Sequence, residues 1–429
     1  MAEHTPVYIK EVGVTNYRCF TGENRFKFVD ENDNWYRWTV FLGDNNTGKT
    51  NLLKAIANME PHFDPKSKNY TIEPYFLVVN VSSDTLVGIS TIPELCNKAS
   101  KINNTADYDL YIALKYNVEN PMESYLMSGN STSGRCKNLL IYGYGVVRNI
   151  ESKGINSKID KISNVSNLLH TTDLLNFEDW LFQLDYAAKN DSAPIENRQK
   201  AIERRNLLIS ILKGDLFPEI EDIRFISDAN LYNYIEFRTK DGWHKLSDLG
   251  YGYQATLSWM VDFCKKLFDR YPDSPNPLKE PAILLIDEID LHLHPQWQRS
   301  IIKYLSDIFT QTQFIVTTHS PFIIQSMEKV NLYALQREGD HTKVKHFGVR
   351  SFIGWRIEEI LSEIMGLEDN IQTDIYQELM KQFEAAIDTD DYKSGKEAYD
   401  RLMKILHPQS EERKLLDIQF SQLIPDDQA

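Results

Sequence analysis

The sequence predicts a mixed α/β fold, and three observations carry that expectation. A glycine-rich octapeptide, Gly43-Asp-Asn-Asn-Thr-Gly-Lys-Thr50, stands between a short apolar strand and a helix. The most apolar run of the chain, Ala282-Ile-Leu-Leu-Ile286, ends in two acids, Asp287 and Glu288. One helix later comes a second buried-type strand, Phe314-Ile-Val-Thr-Thr318. Strand–helix–strand of this kind implies a right-handed crossover in a parallel sheet.

The elements follow in order. Val7, Ile9 and Val12 alternate as in a strand ahead of Asn16-Tyr-Arg-Cys-Phe20, and Trp38-Thr-Val-Phe-Leu42 is a buried strand bounded by glycine. Asn51–Ala57 has helical apolar spacing, and strand-like runs follow at Tyr75–Val79, Tyr108–Leu114 and Leu139–Tyr142. From about 150 to 215 the chain begins polar and rich in Ser and Asn, then turns helical around Asn176–Phe182 and Asn197–Leu212. This reads as an insertion, and its lack of sustained heptads excludes a long coiled-coil arm. Strands return from 222 to 245, with Asp241-Gly242 as the hairpin turn. A helix starts near Tyr253 and runs through Leu267, a proline-rich loop covers Tyr271–Pro281, and a further helix spans Pro295 to about Phe309.

Beyond about residue 351 the pattern is helical and polar. Ile375, Leu379, Phe383 and Ile387 recur at four-residue spacing, as do Ala398, Leu402 and Leu406. Asp388-Thr-Asp-Asp391 joins these two helices and Pro408 stops the second. A two-helix hairpin has too small a core to stand alone, so at least one apolar stripe is expected to face the head or a partner. The expected division is 1–149 and 222–350 for the two lobes of a head, 150–221 for a mainly helical insertion, and 351–429 for a docking or oligomerisation tail.

Composition narrows the classes. Of 429 residues, 42% are hydrophobic and 25% charged, a globular balance that excludes disorder over most of the length. A net charge of −15 argues against coating nucleic acid by unspecific charge. Cys19, Cys96, Cys136 and Cys264 are scattered without a CxxC pair, as expected of reduced thiols in a cytoplasmic protein. No run approaches the length of a membrane span.

The octapeptide is a phosphate loop. Its backbone N–H groups wrap phosphates, Lys49 reaches the β- and γ-phosphates of ATP, and the Thr50 hydroxyl ligates Mg²⁺. Asn46 stands where glycine is usual, and asparagine is the best non-glycine residue for positive φ. The paired acids give Asp287 a place to hold Mg²⁺ and Glu288 a place to polarise an attacking water. His319, directly after the next strand, is positioned to touch the γ-phosphate.

These motifs in this order, with Asn16-Tyr-Arg-Cys-Phe20 ahead, resemble ABC-type ATPase heads of the RecF, OLD and structural-maintenance-of-chromosomes kind. The likeness is strongest to the short prokaryotic "AAA family" members of phage defence, over about residues 7–60 and 245–335. The resemblance implies an ABC-type head with a P-loop core, in which Arg18 contacts nucleotide phosphate together with Gly43, Asn45, Asn46, Thr47, Gly48, Lys49, Thr50 and Asn51. It makes Asp287 and Thr50 the metal ligands, Glu288 and His319 the catalytic pair, and Asp290–Pro295 the D-loop. The signature motif maps to Leu246–Gln254, with Gly250 and Gly252 toward a partner protomer's γ-phosphate. Gly250 replaces a common serine, which implies slow turnover. No glutamine of a Q-loop is recognisable: Tyr142–Arg148 ends a strand there, either as a plain turn or in that role.

The tail and compact head are similar to the PtuA-like ATPases of Septu-type defence, which implies a homodimer or larger homo-oligomer and a separate HNH-type nuclease. Nucleic acid would then be met through the partner or the insertion. Two other readings stay open: a RecF-like repair ATPase that clamps DNA, and a toxin whose tail cuts RNA with its acids and His407. Three further sites are weak. His292 and His294 lack a nearby third metal ligand, Asp388-Thr-Asp390 sits in helical sequence, and the basic run Arg198–Lys213 reads first as a solvated helix face.

Overall fold

The computed structural model describes residues 8–32, 34–60, 62–64, 69–71, 78–80, 86–89, 111–115, 123–126, 139–150, 163–230, 232–367 and 373–423. Parts of two expected strands (75–77 and 108–110), Cys96, Cys136 and the Ser/Asn-rich start of the insertion lie outside these residues. The chain divides into two units, Met1–Trp355 and Arg356–Ala429.

A six-stranded sheet organises the first unit, in the order Ile141–Tyr144, Ala282–Ile286, Thr312–Thr318, Trp38–Gly43, Val330–Glu338, His341–Arg350. The first five strands are parallel and the last is antiparallel. Parallel strands covered on both faces need near-continuous apolar runs, and Ala282–Ile286 and Thr312–Thr318 are buried at every position. The outer hairpin at 330–350 carries a weaker sequence signal, because His341–Arg350 is an edge strand with alternating charge and much exposure.

A second six-stranded sheet, built on Tyr8–Tyr17 and Phe20–Lys27, covers one face. Phe26, Phe41, Leu52, Ile56, Ile283, Leu285 and Tyr333 belong to the apolar layer between them. The layer also has polar clips: buried Gln313 exchanges two hydrogen bonds with the backbone of Ile9, each 2.9 Å. Leaving that amide unpaired would cost about 1–3 kcal/mol. On the opposite face the helix Tyr251–Arg270 packs Trp259 against Tyr144 and Phe263 against Tyr142 and Phe309. It begins two residues before Tyr253, the start that apolar spacing alone suggests.

Helices at Phe177–Lys189 and Ile195–Leu212 precede a three-stranded antiparallel sheet, Asp222–Ser227, Asn233–Thr239 and Gly242–Lys245. The basic run on the second helix is internally matched. Arg198 pairs with Asp191, Lys200 with Asp273, Arg205 with Asp185 and Lys213 with Asp222. Arg204 donates to the carbonyls of Phe268 and Pro272.

The second unit corrects the expected hairpin. Asp374–Asp388 and Tyr392–Ile405 are joined by a third helix, Glu411–Ser421. Leu379, Phe383, Ala398, Leu402 and Leu416 form a shared core, with Tyr399 stacked on Phe420 at 4.3 Å. The stripes therefore face one another and the third helix, so the argument for docking from an unpaired stripe falls away. Ile375, Ile405, Leu415 and Ile418 remain exposed. Among the described residues, no helix is long and apolar enough to cross a membrane.

Candidate active site

The strand Trp38–Gly43 ends in the phosphate loop, and the helix Lys49–Ala57 leaves it. Packing decides the loop's residue types. A Cβ on Gly43 would lie 2.2 Å from the Leu335 carbonyl, and one on Gly48 (φ +95) 2.3 Å from Cys19 Sγ. Asn46 adopts φ +64 and, with Asn45, stands exposed on the loop, while Asn51 is half-buried in the helix. Thr47 is held from two sides: its hydroxyl donates to the Asp44 carbonyl (2.8 Å), and its own carbonyl accepts from the buried Thr342 hydroxyl (2.9 Å). Arg18 is exposed with φ +57 and directly precedes Cys19, whose thiol reaches the Thr47 carbonyl at 3.7 Å.

Lys49 is 5% exposed and donates to the carbonyls of Gly43 (2.6 Å) and Asp44 (2.8 Å). Burial pulls its pKa below the ordinary lysine value, opposed first by Asp287. The ammonium is thus parked on its own loop, with carbonyl bonds that phosphate oxygens could replace.

The neighbouring parallel strands bring the acids to the same place. Asp287 is buried; its Oδ2 accepts from the Thr50 hydroxyl and its Oδ1 from the Thr317 hydroxyl, both at 2.7 Å. The Thr317 oxygen also accepts the Glu288 backbone N–H at 2.7 Å. Glu288 has φ +49, a conformation that costs an ordinary residue of order 1–3 kcal/mol. Its Oε1 lies 3.9 Å from His319 Nε2, beyond hydrogen-bond range. His319 Nε2 is buried and has no hydrogen-bond partner among the described residues. Thr318 donates to Asp290 (2.5 Å), tying the next loop to the same strand end.

The structure therefore gathers Lys49, Thr50, Asp287, Glu288 and His319. Gly252 packs against the Asp290–Pro295 loop, and Gly250 stands at the start of the same helix. A Cβ on Gly252 would lie 2.3 Å from the His292 carbonyl, and Tyr251 meets the His292 ring at 4.7 Å. Gly250 caps the helix start with φ −56, and a Cβ there would meet nothing closer than Tyr253 at 4.0 Å. Two contributors gain tasks that the sequence leaves open. Thr317 reads there as one more strand residue, and Arg148 ends a stretch that is either a plain turn or takes the Q-loop role; Arg148 donates to the carbonyls of Asp287 (2.9 Å) and Glu288 (2.8 Å).

The weaker sites find structural employment. No group of three His, Cys, Asp or Glu side chains among the described residues could hold a metal, His292 and His294 included. Asp388 ends the helix Asp374–Asp388 and Asp390 lies in the turn after it with φ +54, while His407 Nδ1 accepts from the Gln409 N–H.

Comparison with known proteins finds the following likenesses. Residues 154–325 match the family described as "AAA domain, putative AbiEii toxin, Type IV TA system". The Septu protein PtuA of Bacillus thuringiensis is 30% identical over 234 residues, which are 53% of this chain and 58% of that protein. The Septu protein PtuA of Bacillus mycoides (strain KBAB4) is 23% identical over 373 residues, 85% of this chain and 45% of the relative. The "Retron Ec83 probable ATPase" of Escherichia coli is 36% identical over 146 residues, 34% of this chain and 26% of its own length. The chain thus matches roughly a quarter to three fifths of the length of these relatives. A solved SMC head, bound to the C-winged helix domain of ScpA, aligns over 80% of this chain and 98% of its own, at 13% identity and a TM-score of 0.42.

Proposed function

We propose that this ABC-type ATPase head, of the AAA kind found in phage defence and similar to Septu PtuA, binds and hydrolyses ATP between paired heads and thereby controls a separate nuclease. The observation that carries the reading is the convergence of Lys49, Thr50, Asp287 and Glu288 at one strand end with an orphaned buried nitrogen, His319 Nε2. Native proteins rarely leave such an atom unsatisfied, and a γ-phosphate oxygen is the partner this position suits.

Each residue then has a task. Backbone N–H groups from Gly43 to Asn51 cradle the phosphates at the helix start, with Arg18 beside them. Lys49 exchanges its two carbonyl bonds for phosphate oxygens. Thr50 and Asp287 would hold magnesium, already joined at 2.7 Å. The ion would supply positive charge to offset the phosphates. Glu288 orients and deprotonates the attacking water, and His319 donates to the γ-phosphate.

The second half of the site comes from another protomer. Gly250 and Gly252, at the start of the Tyr251–Arg270 helix, offer backbone N–H groups and the helix dipole to the partner's nucleotide. Without a hydroxyl at position 250, turnover is slow. The nuclease of an HNH type docks on the second unit, where Ile375, Ile405, Leu415 and Ile418 are exposed, and nucleic acid is met through that partner. The reading places the protein in the cytoplasm. It is tested by Lys49→Ala: ATP affinity measured by calorimetry should be lost while the melting curve persists. Unchanged affinity would remove the assignment.

A further inference from the structure

Glu288 is the one acid of the pair that must aim at water, and it is also the residue with a left-handed backbone (φ +49). A left-handed turn at this point swings the carbonyls on either side of Glu288 toward a common direction. Arg148 occupies that place. Its Nη2 donates to the Asp287 carbonyl at 2.9 Å and the Glu288 carbonyl at 2.8 Å, and its Nε donates to the Gly145 carbonyl at 3.2 Å. Those two carbonyls belong to the peptide planes that flank the Glu288 Cα, so a single nitrogen holding both fixes its φ and ψ together. From the other side, Thr317 accepts the Glu288 N–H.

The cost of this arrangement argues that it is functional. Arg148 is only 2% exposed, and a buried guanidinium that has no carboxylate hydrogen bond among the described residues is expensive. Burial brings its pKa down to about 10, with Asp287, Asp290 and Glu288 opposing, so it stays charged at neutral pH. A neutral donor could close an ordinary turn at less cost. Arg148 also lines a cavity of about 400 Å³ together with Tyr251 and Gln254, on the first turn of the Gly250-capped helix.

We infer that Arg148 is a positioning residue for hydrolysis, clamping the backbone of Glu288 in its left-handed conformation so that the carboxylate faces the γ-phosphate side of the site. The inference rests on the proposed ATPase reading, but its geometry does not, so two readouts separate them. The first is hydrogen exchange of the full-length protein without nucleotide. In Arg148→Ala, and more mildly in Arg148→Lys, amides of residues 287–291 should lose protection while those of 49–57 keep theirs. The second is steady-state phosphate release with magnesium and ATP. Arg148→Ala should lower kcat by about 10²-fold, the scale of an ångström-sized misplacement, and leave ATP affinity within about twofold. Guanidinium ion at millimolar concentration should restore part of the loss through the cavity, whereas equal sodium should not.

Unchanged exchange at 287–291 overturns the clamp whatever the catalytic outcome. A parent protein that releases no phosphate refutes the ATPase reading, while the exchange result still decides the clamp. Loss of ATP affinity in step with kcat would make Arg148 a support of the whole pocket and contradict a specific role. If the alanine variant does not fold, the lysine variant carries the same comparison, because it retains the charge but not the planar fork.

Discussion

Thr50 donates its hydroxyl to Asp287 across 237 residues of sequence, at 2.7 Å. The two residues thus present a polar edge at which the phosphate-loop helix meets the strand end of the acids. The other Asp287 oxygen is held by Thr317, which simultaneously accepts the Glu288 N–H. One hydroxyl therefore sets both acids.

Thr317→Val preserves shape and removes that hydroxyl. The stranded N–H and carboxylate oxygen should cost about 1–3 kcal/mol, enough to slow phosphate release by ~10-fold or more. Thr317→Ser should retain most activity. A valine variant that turns over like the parent would show that the hydroxyl is only a packing group.

Gly250→Ser is the converse experiment. The backbone at φ −56 suits any residue, and the added Cβ meets only an ordinary contact with Tyr253 at 4.0 Å. Serine is also a better helix cap than glycine by a few tenths of a kcal/mol. The variant should melt no lower than the parent and hydrolyse ATP faster, by up to ~10-fold if the hydroxyl contributes about 1.4 kcal/mol to the transition state. No change in rate would mean that this helix start does not face a nucleotide. Gly252→Ala, by contrast, collides with the His292 carbonyl and should destabilise the protein.

Removing the second unit after Trp355 should leave ATP affinity intact, since Lys49, Thr50, Asp287 and His319 all belong to the first. Co-purification of a nuclease partner should be lost. Equal recovery of the partner with the shortened chain would place its docking surface on the first unit.

Much of the site was legible because its chemistry is local. The phosphate loop, the acid pair and His319 each lie within one turn of a strand whose apolar run announces it. The outer strand of the hairpin at 330–350 was hidden by its edge position, since an edge strand such as His341–Arg350 carries no continuous apolar run. The third helix of the second unit, Glu411–Ser421, buries only Leu416 deeply, too sparse a stripe to register as a periodicity. Arg148 was legible only as part of a stretch with two open readings, a plain turn or the Q-loop role. Its partners are main-chain carbonyls, and a backbone acceptor leaves no residue-type pattern to pair with.

The most direct test of the account is the mass in solution of Glu288→Gln with ATP and magnesium. Loss of the base should slow hydrolysis by ~10²-fold or more and leave ATP held between two heads. The account predicts a species of at least twice the chain mass, formed with ATP and absent without it or when Lys49→Ala is added. A monomer with ATP bound would contradict the shared site.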